Sequence, residues 1–422
     1  MFAGIVSKLK LRRLMLFLSI LGPGIITASV DNDAGGIATY SIAGAHFGYA
    51  LLWTLIPITF LLIIVQEMCA RMGAVTGKGL SDLIRENFSL KITVMLMIGL
   101  CLANLFVTIA EFAGMAAAGE LFGVNKYFLI PTCLIFVWAV ILNLRYKTLE
   151  KFFLLLSFFY ISYILSGLMA KPDWDHVLNQ LIFPSFSLNT AYLITLLGVI
   201  GTTITPWMQF YLQSSIVEKG ISIKEYAYSR LDVIIGCIIT DVVAFFIIVC
   251  CATVLFPKGI TVESATEAAK ALLPLAGPYT FLLFAIGFFG AALFGAFILP
   301  ISTSFYICEA FGWESGINKS FEDAKAFYLI ILLLTLLAAI VVLIPKIPLF
   351  PLMLMAQVIN GIILPFILIA ILRLINNKKL MGSYVNPPWL NCISWAASIF
   401  IIIITFIMVI TTLYMPPPSP LV

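Results

Sequence analysis

The chain has 422 residues, 62% of them hydrophobic and only 10% charged, with a mean hydropathy of +1.12. Soluble domains carry about 25% charged residues, so 24 Lys and Arg with 20 Asp and Glu cannot solvate a water-facing surface of this size. The composition specifies a polytopic membrane protein. A net charge of +4, with one basic cluster between positions 8 and 13, argues against a nucleic-acid partner. The eight cysteines form no CxxC pair and lie in or beside apolar stretches, which makes them small core residues rather than a disulfide or zinc framework.

In chain order, stretches long enough for a helical crossing, about 20 mostly apolar residues, fall at 15–44, 48–72, 90–118, 127–145, 150–170, 189–215, 232–256, 277–309, 326–345, 349–374 and 391–414. The basic then apolar N-terminus runs on into Gly-Pro-Gly and acids instead of a cleavage site, so it reads as a first span and not a signal peptide. The segment from Pro172 to Asn189 is one of the longer loops, and no loop is long enough for a soluble domain. The basic residues divide unevenly. Nineteen lie on one side (Lys8, Lys10, Arg12, Arg13, Arg71, Lys78, Arg85, Lys91, Arg145, Lys147, Lys151, Lys219, Lys224, Arg230, Lys319, Lys325, Arg373, Lys378 and Lys379), and five on the other (Lys126, Lys171, Lys258, Lys270 and Lys346). The positive-inside rule then puts the N-terminus in the cytoplasm and the proline-rich tail outside a plasma membrane.

Two spans are interrupted. The first reads GPGIITASVDNDAGGIATYS over 22–41, with Asp31, Asn32 and Asp33 at bilayer depth beside Ala34, Gly35 and Gly36. Buried carboxylates cost several kcal/mol unless they face a cavity or partner, and the glycines allow backbone shapes a helix forbids. The sixth reads GTTITPWMQFYLQSS over 201–215, where Pro206 denies a hydrogen bond to the carbonyl of Thr202, and Thr202, Thr203, Thr205 and Gln209 add oxygens. An ordinary proline kink is the competing reading of the sixth span, but it leaves two carboxylates in the first unexplained. Two broken spans in corresponding places predict an all-α, inverted-repeat transporter with its site at the midplane. The expected repeats are 15–170 and 189–374, with 391–414 added, and Asp33 is expected to meet Thr205.

These residues resemble the Nramp family of divalent-metal transporters over nearly the whole chain. Gly22, Pro23 and Gly24 with Asp33 resemble its first helix; the stretch RMGAVTGKGL from Arg71 resembles the loop after helix two; Ala110, Glu111 and Phe112 resemble helix three. Lys171 to Trp174 resembles the segment after helix five, and Ala356, Gln357 and Val358 through Leu364, Pro365 and Phe366 resemble helix ten. The resemblance implies a LeuT-type fold, helices one and six unwound at the midplane, and a metal ion as substrate, with no cofactor.

The departures fall where the family's chemistry sits. Its Asp-Pro-Gly-Asn reads here Asp33, Ala34, Gly35, Gly36, and its Met-Pro-His reads Thr205, Pro206, Trp207. Thioethers favour late transition metals, whereas Mg²⁺ takes oxygen ligands and keeps several waters. Losing the methionine, and the asparagine at Gly36, predicts a harder and roomier site, similar to the Nramp-related magnesium transporters. The expected ligands are Asp33, Asp31, Thr205, Thr202, Gly36 and Gln357, with Asn32, Gln209, Glu111, Asp241 and Asn360 along the path. The family's proton-route histidine and helix-three acid are Trp207 and Thr108 here, and neither titrates near neutral pH. Uncoupled Mg²⁺ uptake is therefore expected, and an inside-negative potential of 100 mV supplies about 4.6 kcal/mol for two charges.

Glu111 either lines the path or pairs with a neighbouring helix, and Asp241 either attracts cations or makes a packing hydrogen bond. Glu67, Asp232 and Glu309, near span ends, read as structural or solvated, and Asn360 as contact between helices. Divalent ions and the lipid bilayer are the expected partners, with no obligate protein. Two other functions fit the same scaffold: a proton-coupled Mn²⁺/Fe²⁺ importer and a sodium-coupled amino-acid symporter. No nucleophile and base stand at a spacing that would suggest an enzyme.

Overall fold

The computed structural model describes residues 22–143, 160–273 and 277–414. The basic cluster at 8–13, the start of the first expected span, Arg145, Lys147, Lys151 and the 415–422 tail lie outside the described residues. In hydrocarbon every backbone polar group must be satisfied within the chain, and helices do this segment by segment. The described residues contain helices and no strand.

The first span is two short helices, α1 (Pro23–Ser29) and α2 (Ala34–Phe47), joined by a 3₁₀ turn at Val30–Asn32. There follow α3 (Leu55–Thr76), a short amphipathic α4 (Leu80–Asn87), α5 (Leu90–Leu121), α6 (Lys126–Asn143), α7 (Ile161–Met169) and α8 (Trp174–Ile182). The sixth span is again two helices, α9 (Thr190–Thr203) and α10 (Pro206–Glu218). The chain continues through α11 (Tyr226–Val254), short α12 (Ala265–Ala269), α13 (Thr280–Phe311), α14 (Lys325–Leu343), α15 (Leu349–Ile375), short α16 (Lys378–Met381) and α17 (Pro388–Tyr414). Among the described residues nine stretches are long and apolar enough to cross a membrane, the broken α9–α10 segment counting as one. The first span, broken into short pieces, and the fifth, of which α7 is described, stand beside them. The loop expected at 172–189 contains α8, begun by Asp173, whose side chain accepts from the amide of His176.

α2 is buried on every side, as expected of a helix enclosed by others. α11 packs on α1, α2 and α3, α15 on α2, α5 and α9, and α13 on α5 and α10, so the two broken spans run through the middle of the bundle. Glycines set the closest approaches. A Cβ on Gly201 would come 2.0 Å from the carbonyl oxygen of Gln357, and one on Gly24 would strike the backbone of Val233 at 2.6 Å. Small residues let membrane helices pack at backbone distance, where dispersion holds them.

The loops sort into two faces. On one, Arg71 donates to the carbonyl of Tyr384 and to Asn386, Gln213 to the carbonyl of Lys78, and Asn318 to Glu218. On the other, Trp53 donates to the carbonyl of Ser185, the amide of Val262 to His46, and Lys126 to the carbonyls of Val342 and Ile344, both at 2.9 Å. None of these ties joins a residue of the first set to one of the second.

Candidate ion site between two broken helices

The first joint is built by its own polar groups. Asp33 leaves the 3₁₀ turn in an extended conformation and caps α2, its Oδ1 accepting from the amide of Gly36 at 2.6 Å. One residue on, the amide of Ala34 donates to Glu111 Oε2 at 3.2 Å. A proline has no hydrogen at this position, so the alanine that replaces the proline of the resembled motif supplies a donor that the motif itself lacks. Glu111 fits because Gly295 faces it: a Cβ there would lie 2.5 Å from the carboxyl. The Glu111 carboxyl also faces that of Asp33.

Oxygens from both joints converge beside Gly36. The position a Cβ would take there lies 2.4 Å from the Asp31 carbonyl oxygen, 3.1 Å from Thr202 Oγ1 and 3.4 Å from Asp33 Oδ1. The loss of a side chain at Gly36 therefore opens no space: contrary to the expected roomier site, backbone oxygen has closed in on the glycine. Asp31 contributes its main chain here. Its carboxyl is buried, and neither oxygen has a hydrogen-bond partner.

The second joint is held less firmly. Thr205 is extended at the head of α10 and gives no side-chain cap, and Pro206 occupies the first helical position. The hydroxyls of Thr202 and Thr205 and both amide atoms of Gln209 are buried with no hydrogen-bond partner. Thr203 is occupied otherwise, its hydroxyl bonding Tyr40 at 2.7 Å and the Val199 carbonyl at 2.8 Å.

Gln357 reaches the site with its nitrogen. Nε2 points at Asp33 Oδ1 across 3.5 Å, while Oε1 accepts from Asn360 at 2.9 Å. In this orientation Gln357 turns its nitrogen toward Asp33 and its oxygen toward Asn360. Asn360 acts through Gln357 within its own helix. Trp207 is buried one residue past Pro206 with its ring edge-on to Tyr211, and its carbonyl accepts from Ser302 at 3.3 Å. Thr108 donates to the carbonyl of Asn104 at 2.7 Å, the bond of a helical threonine. Asn32 donates to Thr240, and Asp241 lies on α11 next to it, apart from the Asp33 cluster.

One residue that positions the site has an inconspicuous place in the sequence. Asp232, on α11, accepts from the amides of Gly22 (3.3 Å), Gly24 (2.6 Å) and Ile25 (3.3 Å), capping α1 from another helix. Those amides have no partner within α1. Glu309 likewise accepts from Ser214 at 2.5 Å and lies against Gly79 at the head of α4, and Glu67 pairs with Arg71 at 3.2 Å and accepts from Tyr226. All three span-end acids are structural.

The family model for Nramp (natural resistance-associated macrophage protein-like) matches residues 24–411. The chain belongs to the Nramp family. Among its Nramp relatives, the divalent metal cation transporter MntH of Bacillus subtilis is 26% identical over 415 residues, covering 96% of this chain and 94% of the relative. MntH of Caldanaerobacter subterraneus is 27% identical over 415 residues, covering 94% of each. The crystal structure of the Eremococcus coleocola manganese transporter superposes with a TM-score of 0.76 at 22% identity, over 96% of this chain and 89% of that one. MhsT, solved with L-phenylalanine, superposes at 0.59 with 15% identity, over 92% and 97%. This Nramp chain therefore has the LeuT-type fold.

Proposed function

We propose that the chain is a divalent-metal transporter whose ion is Mg²⁺, moved into the cell down its electrochemical gradient without an obligatory proton. One observation carries the reading: the donors that converge between the broken helices are all oxygens, from Asp33, the Asp31 carbonyl and Thr202, with the free Thr205 hydroxyl where the family motif has methionine. Oxygen donors that include the Asp33 carboxylate suit a hard ion that keeps part of its water. The absence of coupling rests on Trp207 and Thr108, which hold the family's proton-route positions and do not titrate near neutral pH. The same reading takes 15–170 and 189–374 as two inverted repeats with 391–414 added, and places the basic face in the cytoplasm of a plasma-membrane protein.

A second reading is favoured by the relatives, named as divalent metal cation and manganese transporters: a proton-coupled Mn²⁺ importer. Flux into liposomes separates the two. Millimolar Mg²⁺ is expected to suppress Mn²⁺ uptake, and a trapped pH dye to stay unchanged as metal enters. Mn²⁺ uptake indifferent to Mg²⁺ would overturn the magnesium assignment, and acidification in step with metal the uncoupled one. Thr205→Met is expected to shift preference toward Mn²⁺.

A further inference from the structure

A groove of about 250 Å³ separates α17 from α3 and α9 on the lipid-facing side of the bundle. Its walls are stripes at four-residue spacing, Trp53, Pro57 and Leu61 leading into α3, and Leu196, Ile200 and Ile204 along α9. The third wall is α17, where the small Ala396 and Ala397 leave the gap. The floor at Leu61, Leu196 and Ile204 is buried, and Pro57, Ala396 and Phe400 at the rim are exposed. At about 1.5 Å per residue, Trp53 to Leu61 spans about 12 Å, roughly one leaflet of a hydrocarbon core about 30 Å thick. One end has a tryptophan, the residue of membrane interfaces. The other reaches the break in the sixth span, since Ile204 stands between Thr203 and Thr205.

The polar groups of the wall are already spent. Trp53 donates its indole N–H to the Ser185 carbonyl and the Tyr192 hydroxyl, each at 3.2 Å, and Thr54 its hydroxyl to the Leu51 carbonyl at 2.6 Å. Water would find no partner there, and an empty groove forfeits dispersion contacts. Hydrocarbon stands at the rim, where Ile56, Phe60, Phe400 and Ile403 are exposed on two spanning helices. The volume falls below the roughly 300–1,000 Å³ of a drug-sized ligand's pocket, and the narrow length suits a chain. We propose that the groove is a lipid site, in which one straight acyl chain of a bilayer phospholipid lies along α9 and braces the joint at Ile204. The joint that no side chain caps is then held by hydrocarbon. The site stands on its own apolar walls and does not depend on which ion the protein carries.

Native mass spectrometry of the full chain, released from nanodiscs of straight-chain phosphatidylcholine, is expected to find one lipid retained that Ala397→Phe, which fills the groove, does not retain. Phe400→Ala, a cut at the exposed rim that the fold tolerates, should hold the same lipid at least tenfold more weakly. Phosphatidylcholine with methyl-branched chains is too wide for the groove. In nanodiscs of that lipid, hydrogen exchange across residues 201–208 should run at least threefold faster in wild type than in the straight-chain lipid, and Ala397→Phe should give equal rates in both. Wild type retaining no more lipid than either variant, whether its groove is dry or filled by a second copy of the chain, would overturn the site. Exchange at the joint that ignores chain shape in wild type, or follows it equally in Ala397→Phe, would overturn the brace.

Discussion

The two breaks in the bundle look alike in outline and differ in how they are held. The joint between α1 and α2 is tied: Asp33 caps α2, Ala34 donates to Glu111, Asn32 donates to Thr240, and Asp232 caps α1 from α11. The joint between α9 and α10 has a proline, no side-chain cap, and free hydroxyls on Thr202 and Thr205. One supplies a fixed charge and the other adaptable oxygens. An ion that keeps some of its water needs both, a charge at a set position and partners that adjust to the remaining shell.

The largest effect tests the fixed half. Asp33→Ala removes the converging carboxylate and should cost about 3 kcal/mol in metal binding, roughly a hundredfold, and abolish flux in liposomes; normal flux would show the site to be misplaced. Next comes the tie from α11. Asp232→Ala strands the three amides at the head of α1, and thermal unfolding in detergent should show a loss of about 3 kcal/mol. Ala34→Pro is milder, because the first position of a helix accepts proline. It deletes the bond to Glu111, and about 1 kcal/mol of stability should go with it; unchanged stability would mean that the tie is idle. The smallest structural effect belongs to the loose half. Thr205→Ala removes a hydroxyl that bonds nothing, so stability should stay within about 0.5 kcal/mol while Mg²⁺ binding, followed by calorimetry, weakens. A large loss of stability there would erase the contrast between the joints.

Much of the bundle is legible in the chain because lipid leaves so few options. The expected span at 349–374 is observed as Leu349–Ile375, and 326–345 as Lys325–Leu343. The interruptions at Asp33 and Pro206 are equally visible, since acids, glycines and proline have local consequences. Legibility fails where a polar group is satisfied by a distant partner. Asp232 bonds residues 207 to 210 positions earlier, so nothing near it in sequence marks it as a cap. α8 is short and sits in a polar loop, where hydropathy is a weak guide. Gly36 shows a third limit: a missing side chain suggests space, but the backbone of Asp31 fills it. The alanine at position 34 is visible in the sequence, but that its amide donates, and to an acceptor 77 residues away, came only with the fold.

The division of lysines and arginines that marks topology also creates a field. On the topology proposed above, the face with five lysines carries five acids, Glu120, Asp173, Asp175, Glu263 and Glu267, and one of its lysines, Lys126, is bound to the carbonyls that end α14. A cation approaching from that side meets little repulsion. On the same topology, the opposite face has nineteen basic residues against eleven acids, and that net positive charge would lower the local concentration of a cation binding from there and slow the return step. Salt screens this within about 10 Å at 0.1 M ionic strength. On that topology the field would bias forward against reverse exchange kinetically and leave the equilibrium distribution of the ion untouched.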